Sequence, residues 1–328
     1  MLGFLKKYKT VIGILLSFLF LYLSLRKISW EELKSVFTSM SFGLLISVVL
    51  INIAARFVVV YRWWLLLSDE KKVSFGHSFH YMNIGYFINS ILPARTGDFL
   101  KSVLLAQKTG IGRTAALTTV AIERLYDMVG LGLAFLVSLL VLNLPVYLQQ
   151  GGFAVLVVSI AGMIALAFLS DHSKAFYNWL SGLSQHRIYL WILRRVELLL
   201  SYSSILKKKR VFLGALMATV ISWFLYVYAG YITLEKIHPG PFSWHVSLLA
   251  LLLISVSFVL PTTPGNLGVY QFACVLAFAI ADMPKEPAIV FSLISQLPVY
   301  ILNILLGLYS MGHEGIRNAE LKKTETLN

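Results

Sequence analysis

Apolar runs follow one another along almost the whole chain and are separated by short polar breaks. Several of these runs reach the roughly 20 residues that an α-helix needs to cross a bilayer. The pattern predicts an all-α polytopic membrane protein. The apolar segments are Val11–Leu25, Phe42–Leu67, Phe75–Leu92, Thr114–Leu144, Phe153–Leu169, Val211–Leu234, Trp244–Leu260, Leu267–Met283 and Ala288–Ser310.

One break, "SILPARTGDFLKSVL" (residues 90–104), combines turn-forming residues with charge. Pro93 and Gly97 favour a turn. The apolar stretch that follows, residues 99–107, amounts to about 14 Å of helix, which is too short to recross the bilayer. We therefore expect residues 75–107 to form a re-entrant hairpin that turns at "PARTGD". The ionisable residues in this break are Arg95, Asp98 and Lys101.

A second break, "VLPTTPGNLGVYQF" (residues 259–272), carries no charge. Pro264 and Gly265 predict a tight turn whose free backbone amides suit an anion. Either a hairpin or two full crossings satisfies the topology here, and a simple kink is a further alternative. The small polar groups on offer are Thr262, Thr263 and Asn266. We interpret the two breaks as the two halves of a binding site.

Lysine and arginine in the short loops predict the orientation, with both termini in the cytoplasm. Residues 42–144 and 211–310 then each contain a span, a hairpin and a span, in opposite orientations. Such inverted repeats are typical of secondary transporters. The expected fold has about six full spans and two re-entrant helical hairpins. Outside the repeats lie an N-terminal span with an external amphipathic segment (1–41), a linking span with a basic amphipathic helix (145–210) and a cytoplasmic tail (311–328).

The composition agrees with a membrane location, because 58% of residues are hydrophobic and the mean hydropathy is +0.78. The net charge of +13 comes from basic residues beside apolar spans, so we expect contact with anionic lipid, above all through residues 187–210, and not with nucleic acid. Cys274 is the single cysteine, which excludes a disulfide framework and a thiolate metal cluster. The inner (cytoplasmic) membrane is the expected location.

The stretch "AIERLYDMVG" places three ionisable residues inside a predicted span. Arg124 and Asp127 are three residues apart and are expected to pair, while Glu123 and Asp127 share a helix face. These charges either form a structural ion network or belong to a functional site. Arg95, Lys101 and Arg124 balance Asp98, Glu123 and Asp127.

Arg56, on the preceding span, leaves one positive charge in excess. A guanidinium group suits phosphate geometry, and snorkelling toward the interface is the alternative for this residue. Arg62 lies beside Trp63 and Trp64 and is typical of an interfacial anchor. His77 and His80 have no carboxylate cluster nearby in sequence, so no metal site and no cofactor are expected.

Four motifs in order, "RWW", "LPARTGDFLK", "ERLYD" and "LPTTPGNLG", resemble the lysylphosphatidylglycerol synthase transmembrane-domain family, which is also described as flippase-like. The resemblance implies lipid translocation. The soluble aminoacyl transferase domain of bifunctional members is expected to be absent, with lipid synthesis left to a separate partner enzyme. Gln271 stands where the family usually has glutamate, Gln296 where arginine is frequent, and Lys101 where arginine is common.

The resulting hypothesis is a flippase for a phosphate-bearing lipid, of phospholipid or polyprenyl-phosphate type. Gln271 and the second break complete the expected site. The alternatives are an integral-membrane lipid-modifying enzyme that uses the buried carboxylates as acid or base, and a non-catalytic membrane scaffold. The cations expected to hold the phosphate are Arg56, Arg95, Lys101 and Arg124, and the carboxylates expected to orient them are Asp98, Glu123 and Asp127.

Overall fold

The computed structural model is predominantly helical in the part of the chain that it describes, which comprises residues 19–26, 29–38, 41–67, 73–92, 96–141, 146–240, 243–258 and 264–316. Residues 19–25 are helical, and twelve further α-helices follow within these ranges. The predicted class, an all-α polytopic membrane protein, is confirmed.

The helices have these bounds. They are α1 (Trp30–Thr38), α2 (Phe42–Leu66), α3 (Phe75–Ile91), α4 (Thr96–Thr109), α5 (Arg113–Val141), α6 (Val146–Asp171), α7 (Ser173–Ser181), α8 (Arg187–Tyr202), α9 (Lys209–Ile237), α10 (Ser243–Ser257), α11 (Val269–Ile280) and α12 (Lys285–Glu314). Short 3₁₀ helices, Ser203–Lys207 and Pro264–Asn266, precede α9 and α11.

Four of these helices are long and apolar enough to cross a bilayer: α2, the Gln149–Asp171 part of α6, α9 and α12. Helix α5 has 29 residues, or about 44 Å at 1.5 Å per residue, which exceeds the roughly 30 Å of a hydrocarbon core. Five of the six predicted spans thus correspond to helices of sufficient length. The remaining one, Val11–Leu25, lies largely outside the described residues.

The helices between the long ones are short. Helices α3 and α4 have 17 and 14 residues, and α10 and α11 have 15 and 12, so each measures only about 18–26 Å. Gly97 was predicted to form part of the turn between the two helices of the first break. That prediction is wrong, because Gly97 is the second residue of α4. An added Cβ there would lie 2.0 Å from the carbonyl oxygen of Gly85 on α3. Gly97 therefore permits close packing of the two helices.

Each half of the chain repeats the order long, short, short, long: α2 to α5, then α9 to α12. Helices α2 and α9 pack antiparallel, since Arg62 near the end of α2 bonds Thr219 in the first part of α9. Helix α3 packs on α12, and α10 packs on α5. The first helix of each short pair thus contacts the last long helix of the other half, as two related, interlocked repeats require.

Helix α8 is amphipathic and ends at Tyr202, earlier than the residue 210 expected from the sequence. Ile188, Trp191 and Ile192 are exposed on one face, while Leu193 and Leu200 are buried against the protein. Spacings of three and four residues place the exposed apolar side chains on a single stripe. This stripe has the character of a helix that lies in a membrane interface.

Candidate functional site

Ionisable side chains gather on three neighbouring helices, α2, α4 and α5. We call them the charge cluster. Helix α2 contributes two arginines, α4 an aspartate and a lysine, and α5 the three charges of its "ERLYD" motif. The cluster consists of Arg56, Arg62, Asp98, Lys101, Glu123, Arg124 and Asp127.

Lys101 and Glu123 form a buried ion pair between α4 and α5. Their side chains are each 1% exposed, and the Lys101 Nζ donates to Glu123 Oε2 at 2.6 Å. The ammonium also lies 4.4 Å from the centre of the Trp63 ring. With a carboxylate, an aromatic face and the sulfur of Met82 at 3.2 Å, this lysine is neutralised and enclosed. Its contacts tie the α3–α4 hairpin to the neighbouring long helices.

A second chain of ion pairs runs through Asp127. Its carboxylate accepts from Arg62 at 2.6 Å and lies 3.1 Å from Arg124 Nη1, which confirms the expected Arg124–Asp127 pair. Arg124 also approaches Asp98 at 3.4 Å. The Asp98 carboxylate accepts from the Asn89 amide at 3.1 Å. Because Arg124 is 39% exposed, this chain opens to the surroundings at one end.

The prediction that Arg62 is an interfacial anchor is wrong. Arg62 is only 3% exposed and also donates to the Thr219 hydroxyl at 3.0 Å. The adjacent pair of tryptophans suggested an interface, but Trp63 is fully buried. The partner Asp127 lies on another helix, 65 positions further along the chain, so sequence spacing carried no signal for this pair.

Arg56 is the member of the cluster whose guanidinium meets only neutral groups among the described residues. It is 6% exposed. Its Nη1 donates to Asn83 Oδ1 on α3 at 2.8 Å, and its Nη2 donates to Asn303 Oδ1 on α12. The guanidinium carbon lies 4.7 Å from the centre of the Tyr86 ring. Its charge is therefore hydrogen-bonded but not neutralised by these partners.

The second break is held by a pair of amides. Gly265 adopts a left-handed φ of 73°, as the predicted tight turn requires. Gln296 Nε2 on α12 donates to the Gly265 carbonyl at 2.7 Å, and Gln271 Nε2 on α11 donates to Gln296 Oε1 at 2.7 Å. The Gly268 amide, one of those expected to attract an anion, already donates to Gln271 Oε1 at 2.7 Å.

The two breaks occupy matching positions in the two halves. Asp98 is the third residue of α4, and its partner Arg124 is the twelfth of α5. Gln271 is the third residue of α11, and its partner Gln296 is the twelfth of α12. An acid–arginine pair in one half thus corresponds to an uncharged amide pair in the other. The sequences around the twelfth residues agree, with "IERL" at 122–125 and "ISQL" at 294–297.

The structure therefore brings the predicted residues into two bonded sets, the Lys101–Glu123 pair and the chain that joins Asp98, Arg124 and Asp127. Arg56 is separate from both sets and packs on the Tyr86 ring. The predicted site residues Arg95, Thr262 and Thr263 lie outside the described residues. Pro264 and Asn266 belong to the short 3₁₀ helix.

A cluster of two histidines and a glutamate was not predicted, because its members are distant in the chain. His80 on α3 meets His313 and Glu314 on α12, with the nearest ligand atoms of all three within 4.8 Å. The two imidazole rings are stacked, with centroids 4.1 Å apart and planes inclined by 15°. The nitrogen lone pairs of two nearly parallel, stacked rings lie in separate, nearly parallel planes, so they do not converge on a single ion. The arrangement fits ring stacking better than metal coordination.

Residues 10–307 match the family described as the lysylphosphatidylglycerol synthase TM region. The chain belongs to this family. It is 26% identical over 230 residues to a UPF0104 membrane protein of Methanocaldococcus jannaschii. This alignment covers 67% of this chain and 91% of the relative. A UPF0104 membrane protein of Methanothermobacter thermautotrophicus is 22% identical over 277 residues, 77% of this chain and 78% of the relative. No solved structure matches.

Membership places the charge cluster and both breaks inside the matched region, so they belong to the part of the chain that defines the family. It supports a multi-pass membrane protein with a lipid-related function. The family resemblance drawn from the four sequence motifs is thereby confirmed.

Proposed function

We propose that this protein translocates a phosphate-bearing lipid between the leaflets of the membrane. The observation that carries the proposal is the buried Arg56. Four cations and three carboxylates make up the charge cluster, and Arg56 is bonded to amides while the other three cations contact carboxylates. A buried cation without a counter-charge is unfavourable, and the anionic phosphate of a lipid supplies one.

The local geometry suits a phosphate. A guanidinium presents several N–H donors in a planar fork that matches two phosphate oxygens. The Asn83 and Asn303 amide oxygens occupy that fork. These amides come from α3 in the first half and α12 in the second. A phosphate that displaces them would loosen one link between the halves, and relative movement of the halves is how inverted repeats alternate access.

The carboxylates support translocation over lipid synthesis. A general acid or base must be able to exchange a proton with the reacting group. Glu123 is held by Lys101, Asp127 by two arginines, and Asp98 by Arg124 and Asn89. Each carboxylate is thereby engaged by a cation of the protein, which favours a structural and orienting role over acid–base chemistry.

The proposal also includes the orientation. The end of α12 that carries Glu314 lies next to Lys108 at the end of α4. Basic residues near membrane-spanning helices favour the cytoplasmic side, so we assign this end, the α7–α8 segment and both termini to the cytoplasm of the inner membrane.

The test replaces Arg56 by Gln or Lys and measures lipid movement. Acyl-NBD phosphatidylglycerol, phosphatidylserine and phosphatidylcholine are placed in proteoliposomes, and dithionite reports how fast each lipid reaches the outer leaflet. Arg56→Gln should slow lipid movement at least about tenfold. Arg56→Lys should recover only part of the wild-type rate, because an ammonium is a point charge and does not present the planar fork of a guanidinium. Thermal stability should be kept, since the substitution removes an unpaired buried charge.

Arg62→Gln is the matched control, six residues further along the same helix. It breaks the 2.6 Å pair with Asp127, so it should lower thermal stability strongly. Movement of none of the three lipids above the protein-free rate would contradict the proposed function. If Arg56→Gln moved the lipids at the wild-type rate, Arg56 would not be the phosphate site of the proposed function.

A further inference from the structure

A cavity with polar and apolar groups in its lining lies between the two halves, and it reaches Asn52, one helical turn before Arg56 on α2. It is lined by α2, α9, α10, α11 and α12. Its polar groups are one amide and four hydroxyls, and none of the described side chains that line it carries a formal charge. These polar residues are Asn52, Tyr226, Ser247, Tyr270 and Ser295.

The cavity coincides with a difference between the two halves. In the first half, Lys101 is the sixth residue of α4 and Glu123 the eleventh of α5, and their long side chains fill the space with an ion pair. The residues at the same places in α11 and α12 are Cys274 and Ser295. Both are small and uncharged. The second half therefore keeps space where the first half has a salt bridge.

The cavity approaches Arg56 along α2. Asn52 lies one helical turn before Arg56, on the same face of α2. Tyr226 lines the cavity from α9. A phosphate bound at Arg56 thus has its headgroup substituent directed to a region of hydroxyl and amide groups.

The lining discriminates between headgroups by charge. Hydroxyl and amide groups both donate and accept, so they satisfy the hydroxyls of a polyol. An ammonium group would be buried here without a carboxylate, close to the positive charge of Arg56, and that is costly. Specificity is a difference between two affinities, so unfavourable burial of the ammonium group contributes to it as much as favourable contacts with the polyol.

We propose that the transported lipid carries an uncharged polyol, such as glycerol or a sugar, on its phosphate, and that the cavity at Ser295 binds this polyol. The inference rests on the proposed function and names the substrate class of the same site. It excludes lipids whose phosphate bears an ammonium group as preferred substrates.

The test compares two lipids of equal net charge in proteoliposomes. Acyl-NBD phosphatidylglycerol and acyl-NBD phosphatidylserine are both monoanionic, but only the serine headgroup carries an ammonium. Wild-type protein should move phosphatidylglycerol about tenfold faster, which corresponds to about 1.4 kcal/mol. Ser295→Glu adds a carboxylate to the cavity and should reverse or abolish this preference. Ser295→Gln adds nearly the same volume without charge and should keep the wild-type ratio, even where both rates fall.

The ratio of two rates in one preparation does not depend on the fraction of folded protein. If Ser295→Glu cannot be purified, Ser247→Asp and Ser247→Asn repeat the comparison on α10. Equal movement of both lipids by the wild type, or the same ratio in the Glu and Gln variants, would overturn the headgroup assignment and leave lipid translocation intact. Movement of neither lipid would overturn both.

Discussion

Lys101 and Glu123 form the most enclosed ion pair of the charge cluster, with both side chains 1% exposed. Removing one partner leaves a buried charge without compensation, which typically costs about 3–5 kcal/mol. Lys101→Met and Glu123→Gln should each lower the free energy of unfolding by this order. The double variant removes both charges and should regain most of the loss. Reversible unfolding in detergent, analysed as a double-mutant cycle, measures the coupling.

The control for this cycle is Lys108→Met. Lys108 is 50% exposed and lies 3.8 Å from Glu314, so its loss should change stability by less than about 1 kcal/mol. Additive effects of Lys101→Met and Glu123→Gln would refute a coupled pair.

Residue-level chemistry was predictable where partners are close in sequence. The Arg124–Asp127 pair follows from spacing along one helix. The partners of Glu123 and Arg62 were not predictable, because they come from other helices and sequence spacing carries no information on them. The same reason hid the contact of His80 with Glu314, which is 234 positions further along the chain.

At the scale of elements, the α3–α4 hairpin depends on a contact that only glycine allows. An added Cβ at Gly97 would lie 2.0 Å from the Gly85 carbonyl oxygen and 2.7 Å from Asn89 Oδ1. Gly97→Ala must therefore separate the two helices, at a cost of about 1–3 kcal/mol or more. Thermal unfolding should show the loss. Gly151→Ala on α6 is the matched control, because no atom lies within 4 Å of its added Cβ, and its stability should stay the same or rise slightly. An unchanged midpoint in Gly97→Ala would refute the close contact.

Hydrophobic periodicity located the elements well but placed their ends less accurately. The turn residues of the first break led to a helix start at Phe99, whereas α4 already begins at Thr96. The polar Thr96 and Asp98 resemble turn residues by composition, yet both are accommodated in the first helical turn. The amphipathic pattern of α8 was recognised, but the basic residues 209–210 belong to the following span α9. Charge near a membrane surface does not by itself mark where a helix ends.

At the scale of the whole molecule, the interlocking of the halves follows from alternating long and short apolar segments, which the sequence displays. The register between the halves became clear only from contacts, through the matching pairs Asp98–Arg124 and Gln271–Gln296. The matching positions of the second half are uncharged, and one of them, Ser295, lines the cavity. This asymmetry distinguishes the two faces of the proposed lipid path.

The inverted arrangement predicts that Lys108 and Lys285 lie on opposite sides of the membrane. Lys108 is close to Glu314, the last residue of α12, whereas Lys285 is the first residue of the same helix. Thirty residues of helix separate the two levels by about 44 Å, more than the hydrocarbon core of about 30 Å. Single cysteines at 108 and 285, in a Cys274→Ala background, should react with an impermeant maleimide from opposite sides, 285 from outside and 108 from the cytoplasm. Labelling of both from outside would mean that α12 does not span the membrane and that the two halves are not inverted.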